Sequence, residues 1–416
     1  MPSVEGVAAR RVALQILDQV LRRGRTIDAA SANGRNLAPN DLALAIAIAG
    51  EALRRLRDID ELIDSTTRTR LPSDSKARAV LRLALAQKVG LGTPDHAVVS
   101  TALPLLDGGP RRLAHGILGT LLRRGVPVAN SSKLPNPVEE RWGEWWGKEA
   151  VLAARRQIVR RPDLDLTFAS PLLAQRYAEQ NGGCSLASGH VRLQSRSVED
   201  LPDFEEGSWW IQDLAASLPA RLVPSNAVNV LDLCAAPGGK TMQLSAAGHS
   251  VTAVDSSTSR LRRLEENLNR THLAAKLVEA DAVDWTPPIE FDAILLDAPC
   301  SATGTFRRHP EVLYRARSDV IARSAEQQAV LLDRASRWLK VGGTIIYSVC
   351  SLEIREGEEV IRGFLRHSSD FAIDGPSNLP HFVPISSEGW VRILPGLIEE
   401  EGGLDGFFIA RLVRVR

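Results

Sequence analysis

Hydrophobic positions divide the chain into two regimes. Up to about residue 125, apolar side chains recur at three- and four-residue spacing, as in Val12, Ile16, Leu17, Val20 and Leu21. That is the period of a helix with one buried face. The same spacing predicts helices over about 41–63, 75–89, 95–106 and 111–124, the second of these opening after Pro72 and Ser73. No aromatic residue occurs between 7 and 125, so Ala and Leu must build a tight helical bundle. From residue 215 onward, short apolar runs alternate with helical stretches. Runs at 228–233, 250–254, 275–279, 293–296 and 344–348 predict strands, with helices notably at 259–270 and 320–339. Such alternation implies a parallel, doubly wound sheet, and 407–412 reads as a late strand completing it.

Between the two regimes lies a Pro/Asn/Ser-rich linker, 126–140. Trp142, Trp145 and Trp146 follow on a helical pattern that continues to about residue 159. They read as packing at a domain interface, with base stacking as the alternative. Residues 163–213 read as a small α+β unit with strands at 165–168, 190–193 and 209–212. The expected organisation is a helical domain over 1–130, a linker and small connecting domain over 131–214, and an α/β domain over 215–416.

Charge sharpens this division. Residues 1–135 hold 20 Lys+Arg against 12 Asp+Glu, whereas the remainder holds 31 against 38. Arginine pairs at 10–11, 22–23, 54–55, 111–112 and 123–124 give the helical part basic edges. A basic half suits nucleic acid, although solvated helix faces look the same. There is no apolar run long enough to span a membrane and no signal-peptide pattern, because Arg10 and Arg11 interrupt the N-terminal stretch. Four cysteines in 416 residues are no disulfide framework. A cytoplasmic, monomeric protein without a metal is expected.

The chemistry concentrates at predicted strand ends. The run Asn229–Leu233 stops at Cys234-Ala235-Ala236-Pro237-Gly238-Gly239-Lys240-Thr241. A Gly-rich turn entering a helix favours a polar or anionic ligand, and the carboxyl ends of α/β strands are where ligands bind. A P-loop would need glycine at 234, and no G-x-G-x-x-G is present. Asp255 ends the second strand, where a carboxylate accepts ribose hydroxyls. Asp281 follows the third strand and Asp297 the fourth. Three acids around a glycine turn repel a polyphosphate but not a sulfonium, which points to S-adenosylmethionine. Cys300 and Cys350 lie just beyond the fourth and fifth strands, and Cys184 reads as incidental. A thiolate adding to carbon 6 of a pyrimidine makes carbon 5 nucleophilic toward a methyl group. That step needs a thiol of lowered pKa. Asp297 is placed to accept from a cytosine amino group, and Arg307-Arg308-His309-Pro310 to grip RNA phosphates.

Taken together, D-L-C-A-A-P-G-G-K-T (232–241), D-A-P-C-S-A-T-G-T (297–305), R-R-H-P-E (307–311), Y-S-V-C-S-L-E (347–353), W-W-I-Q-D (209–213) and D-G-F-F-I-A-R-L (405–412) carry a resemblance. The chain resembles the NusB-domain-containing RNA cytosine-5 methyltransferases, the RsmB/Sun type acting on small-subunit ribosomal RNA. The resemblance covers nearly the whole chain. It implies an all-α NusB-like N-terminal domain that binds RNA, a small α+β connector and a Rossmann-like class I methyltransferase domain. It implies that the turn 234–240 binds the methionine end and ribose of S-adenosylmethionine, Asp255 the ribose, and Asp281 the adenine region. Arg260 falls at a cofactor-proximal basic position, and Asp297 lies between cofactor and cytosine. Cys350 is then the nucleophile and Cys300 the cysteine assisting product release. Val349 stands where the family usually has Thr. Two other readings remain at this point: an RNA-binding assembly or transcription factor with a vestigial methyltransferase domain, and an ATP-using P-loop enzyme, which Cys234 disfavours.

Overall fold

Helix boundaries in the N-terminal part follow their caps. The helix Val7–Arg23 ends where Gly24 turns left-handed at φ 63. Ile27–Ser31 opens at Thr26, whose hydroxyl accepts from Ala29 N–H. Lys76–Leu91 opens at Ser75, whose hydroxyl accepts from Arg78 N–H, so this cap and not Pro72–Ser73 sets its start. The single helix expected over 41–63 is two, Pro39–Arg54 and Leu56–Asp64, broken at Arg55 (φ −118, ψ 18). Asp95–Ala102 tightens into a 3₁₀ turn, Leu103–Leu105, since Pro104 has no N–H to continue the helix. Gly108–Arg124 follows. The linker is shorter than expected: Pro135 caps, and Pro137 sits in the first turn of, a helix Asn136–Gln157 kinked at Gly147 (φ 80).

The computed structural model describes residues 6–194, 198, 201–376 and 378–416. The first five residues of the expected 1–130 domain lie outside them, as do 195–197, 199–200 and 377. The chain forms two compact units, Met1–Arg160 with Phe306–Arg317, and Arg161–Thr305 with Ser318–Arg416.

The core of the first unit is Ala, Leu, Ile and Val, including Ile16, Leu17, Ile48, Leu53, Ile59 and Leu81. Among the described residues one aromatic ring packs against it, and that ring arrives from far along the sequence. Tyr314 lies on this core and donates its hydroxyl to Leu53 O at 2.7 Å. Glu311 Oε1 accepts from Ile27 N–H at 3.2 Å, and Arg315 Nε donates to Gly24 O at 2.7 Å. Phe306 is fully buried against Trp142, ring centroids 5.7 Å apart. Several arginines expected at basic edges turn inward. Arg54 Nη1 donates to Ile158 O at 2.8 Å, Arg55 Nη1 to Ala129 O at 3.1 Å, and Arg10 Nε to Gln87 Oε1 at 2.8 Å. Arg307 is likewise buried, at 2% exposure, and is not presented to phosphates.

The second unit holds two sheets. Strands β1 (Leu164–Phe168), β2 (His190–Leu193) and β3 (Trp209–Ile211) form a small antiparallel sheet in the order β2-β1-β3. The large sheet contains β4 (Asn229–Leu233), β5 (Ser250–Asp255), β6 (Lys276–Glu279), β7 (Phe291–Asp297), β8 (Leu339–Val349), β9 (Phe371–Ile373), β10 (Val391–Ile393) and β11 (Phe407–Arg414). Its order is β10-β11-β8-β7-β4-β5-β6, with β9 also on β11. Strands β4 to β8 are mutually parallel, as their apolar runs predicted. The sheet is mixed and not wholly parallel, because β11 pairs antiparallel with β8, and β9 and β10 antiparallel with β11. The β4/β7 junction is the point where the strand order reverses, and so is the place to look for a ligand.

Candidate active site

Five parallel strands end on one rim, and each end contributes chemistry. After β4, Cys234 holds a left-handed backbone (φ 59), followed by a cis Ala236–Pro237 bond and Gly238 at φ 105. Gly238 is required twice over: its φ suits glycine, and a Cβ there would sit 2.0 Å from Leu264 Cδ1. Asp255 is the last residue of β5 and Asp297 of β7. Asp281 lies two residues past β6 and Cys350 one past β8.

Cys234, Ala236, Asp255, Arg260, Asp281, Asp297, Cys300 and Cys350 all line one cavity of about 370 Å³. Ala235, Pro237, Gly238, Gly239 and Lys240 do not reach it; they line a neighbouring pocket of about 220 Å³ that shares Cys234, Ala236 and Asp297. Sequence reasoning missed Gln327 and Leu331 in the large cavity, which sit on the helix Ser318–Ser336, and Gln212 and Asp213 in the small pocket. The helix showed only an amphipathic pattern, whereas Gln212 and Asp213 belong to the W-W-I-Q-D stretch.

Asp255 is buried and oriented by backbone. Oδ2 accepts from Ala236 N–H at 3.2 Å and Oδ1 from Ser257 N–H at 3.0 Å. Arg260 Nη2 lies 3.4 Å from Oδ2 and donates to Ala236 O, tying the turn to the end of β5. Each Asp255 oxygen keeps acceptor capacity, the requirement for holding two vicinal ribose hydroxyls. Asp281 accepts from Val283 N–H at 2.9 Å. Asp297 accepts from Lys240 Nζ at 2.7 Å and from Ser348 Oγ at 2.8 Å, one bond to each oxygen. Burial lowers the Lys240 pKa, but the Asp297 carboxylate more than offsets this, so the pKa is raised and the ammonium persists. Lys240 thus orients Asp297 and does not line the large cavity.

The three rim thiols differ. Burial, and next Asp255, push Cys234 up to about 12, so it stays a neutral thiol. Cys300 and Cys350 meet, Sγ to Sγ, at 3.5 Å. The hydrogen bond to Cys350, then burial, holds the Cys300 thiol well above its ordinary range, so Cys300 is not the lowered thiol the chemistry calls for. Val349 is fully buried in the apolar cluster of the sheet, so position 349 gives no group to the cavity. Gly304, in the same loop as Cys300, donates its N–H to Cys350 O at 3.0 Å. A Cβ at Gly304 would lie 1.9 Å from Gly406 O, so two motifs a hundred residues apart touch through bare backbone.

A mixed sheet with five parallel strands, a glycine turn at its switch point and a strand-end carboxylate able to accept two hydroxyls is the arrangement of a class I, S-adenosylmethionine-dependent methyltransferase. Comparison with known proteins narrows this. Residues 219–413 match the family described as 16S rRNA methyltransferase RsmB/F, and residues 7–110 match the NusB family. The chain is 33% identical to ribosomal RNA small subunit methyltransferase B of Xylella fastidiosa, over 99% of each chain. The crystal structure of PH0851 superposes with a TM-score of 0.73 at 22% identity, covering 99% of both chains. That of NSun6 from Pyrococcus horikoshii, determined with SFG, gives 0.58 at 21% identity over 68% of this chain and 99% of that one. The chain belongs to the ribosomal RNA small subunit methyltransferase B family, with an N-terminal NusB domain, and its cofactor is S-adenosylmethionine.

Proposed function

We propose that the protein methylates carbon 5 of a cytidine in small-subunit ribosomal RNA, in the cytoplasm, through a covalent Cys350–cytosine intermediate. The observation that carries this is the pair of thiols 3.5 Å apart in the cavity that also holds Asp255 and Asp297. Asp255, the turn 234–240, Arg260 and Asp281 hold the cofactor. Bound there, S-adenosylmethionine supplies an electrophilic methyl group. Asp297, fixed by Lys240 and Ser348, keeps acceptor capacity for the cytosine amino group. The Cys350 thiolate adds to carbon 6 and makes carbon 5 nucleophilic. Once carbon 5 carries the methyl group, its proton passes to a water molecule, the C–H electron pair re-forms the 5,6 double bond, and Cys350 leaves as the thiolate. Cys300, held as a thiol, stands beside the departing sulfur and assists that release.

The test is direct. Cys350→Ala is expected to abolish turnover and leave no covalent RNA adduct. Cys300→Ala is expected to accumulate a protein–RNA adduct that resists denaturing electrophoresis. An adduct that forms through Cys300 in the Cys350→Ala variant would exchange the two roles.

A further inference from the structure

The two cysteine loops are joined by a residue that lines neither pocket. Glu356 is completely buried, in a 3₁₀ turn Ile354–Glu356. Its Oε1 accepts from Ser301 N–H at 2.7 Å. Its Oε2 accepts from both Ser301 Oγ and Ser351 Oγ. Ser301 directly follows Cys300, and Ser351 directly follows Cys350. One carboxylate therefore spans the residue next to each thiol. The network around it is closed. Thr303 Oγ1 lies 3.2 Å from Ser351 Oγ and accepts from Leu352 N–H at 3.0 Å. Tyr347 donates to Glu356 O at 2.6 Å, fixing the backbone that carries the carboxylate. Arg392, paired with Glu358, donates to Ser351 O. Buried carboxylates persist only when their oxygens are satisfied, and among the described residues the hydrogen-bond donors to Glu356's side chain belong to the two cysteine loops.

We propose that Glu356 is the positioning residue that sets the distance between Cys300 and Cys350, an inference that rests on the cysteine roles proposed above. Without its carboxylate the two loops keep the sulfur contact at 3.5 Å, the Ser301–Ser351 hydroxyl contact at 3.2 Å, the Thr303 bridge to Ser351 and Leu352, and the Gly304–Cys350 backbone bond, none of which is a charged acceptor. Catalysis by oriented groups tolerates little drift: a displacement of about 1 Å costs on the order of 100-fold. Glu356→Ala is thus expected to slow product release by roughly 10- to 100-fold. The affinity for S-adenosylmethionine should stay within about threefold, because Asp255 and the turn do not touch this network.

The experiment reads the thiol pair without relying on methylation. Phenylarsine oxide condenses with two adjacent thiols, losing water as two As–S bonds form. The full-length protein is expected to bind it tightly at one site that Cys300→Ser and Cys350→Ser each remove. Glu356→Ala should weaken that binding at least tenfold. Glu356→Gln keeps an oxygen for Ser301 N–H and an amide to bridge the hydroxyls, so it should recover most of the binding and turnover. Ser351→Ala cuts one arm only and gives an intermediate loss, which serves if the Glu356→Ala chain does not fold. Unchanged arsenical affinity in folded Glu356→Ala and Ser351→Ala would overturn the positioning role whatever the cysteines do. Gln as damaging as Ala would overturn it too, in favour of a proton-transfer role. Lost arsenical binding with unchanged adduct release would leave positioning intact and sink the cysteine roles instead.

Discussion

Asp232 is an acid in the middle of an apolar strand, fully buried, with Thr241 Oγ1 donating to its Oδ2 at 2.6 Å. Burial raises its pKa to about 7, against the pull of the Thr241 bond and Lys240. The charged form is therefore disfavoured in the fold relative to the unfolded chain. The sign follows: its contribution to stability is complete below the ordinary carboxylate range and is lost as pH rises from about 4 to about 7. Between pH 5 and 8 the melting temperature of the wild type should fall more than that of Asp232→Asn, by on the order of 5–10 °C. Equal slopes in scanning calorimetry would refute this. Residues of the site differ in how far the sequence revealed them. Asp255, Asp297, Cys300 and Cys350 were legible because each lies at or just beyond the end of an apolar strand. Glu356 was not, because it stands in L-E-I-R-E-G-E-E, which reads as a solvated charge run. Only its distant partners, Ser301 among them, show that it is buried.

Strands buried on both faces were the easiest elements to read, since β4, β5, β7 and β8 are nearly continuous apolar runs. β9 and β10 are three residues long and carry too little pattern to register. The break at Arg55 was invisible for a different reason: a helical pattern continues through it, and the carbonyls that Arg54 and Arg55 reach, at 158 and 129, lie far along the chain. The same inward turn changes the account of charge. Arg10, Arg54, Arg55, Arg78 and Arg82 are buried and committed to internal partners. The pairs Arg22–Arg23, Arg111–Arg112 and Arg123–Arg124 remain exposed. Two of these pairs close helices, where cations also complement the dipole. Of the arginine pairs in this unit, those three are therefore the ones placed to add to RNA affinity, beside single exposed cations such as Arg11, Arg25 and Arg35. Replacing Arg123 and Arg124 with Ala should lower the slope of log affinity against log salt by roughly one to two. The same change at Arg54 and Arg55 should unfold the unit instead, and filter binding across a salt series distinguishes the two.

At the scale of the whole chain, the NusB-like and methyltransferase portions were legible from the change of hydrophobic period near residue 215. The return of Phe306–Arg317 to the helical unit was not, because nothing local marks Tyr314 as the ring for a core built two hundred and fifty residues earlier. No single cut separates the two units, since the chain passes from one to the other at 160, 305 and 317. Removing residues 1–125 to test RNA binding would strip Tyr314, Glu311 and Arg315 of their partners at Leu53, Ile27 and Gly24, so lost activity would not isolate an RNA-binding role. A fragment 1–160 is expected to stay loosely packed until a peptide 306–317 is added, with Trp142 emission shifting to the blue on addition; a fragment already native by that measure would refute the dependence. The arrangement also has a clock in it. Translation runs at about 5–20 residues per second, so the helical unit emerges from the ribosome roughly 7–30 s before the segment that completes it. During that interval a leucine-rich core is assembled but unfinished, and the first part of the protein to be made is among the last to be done.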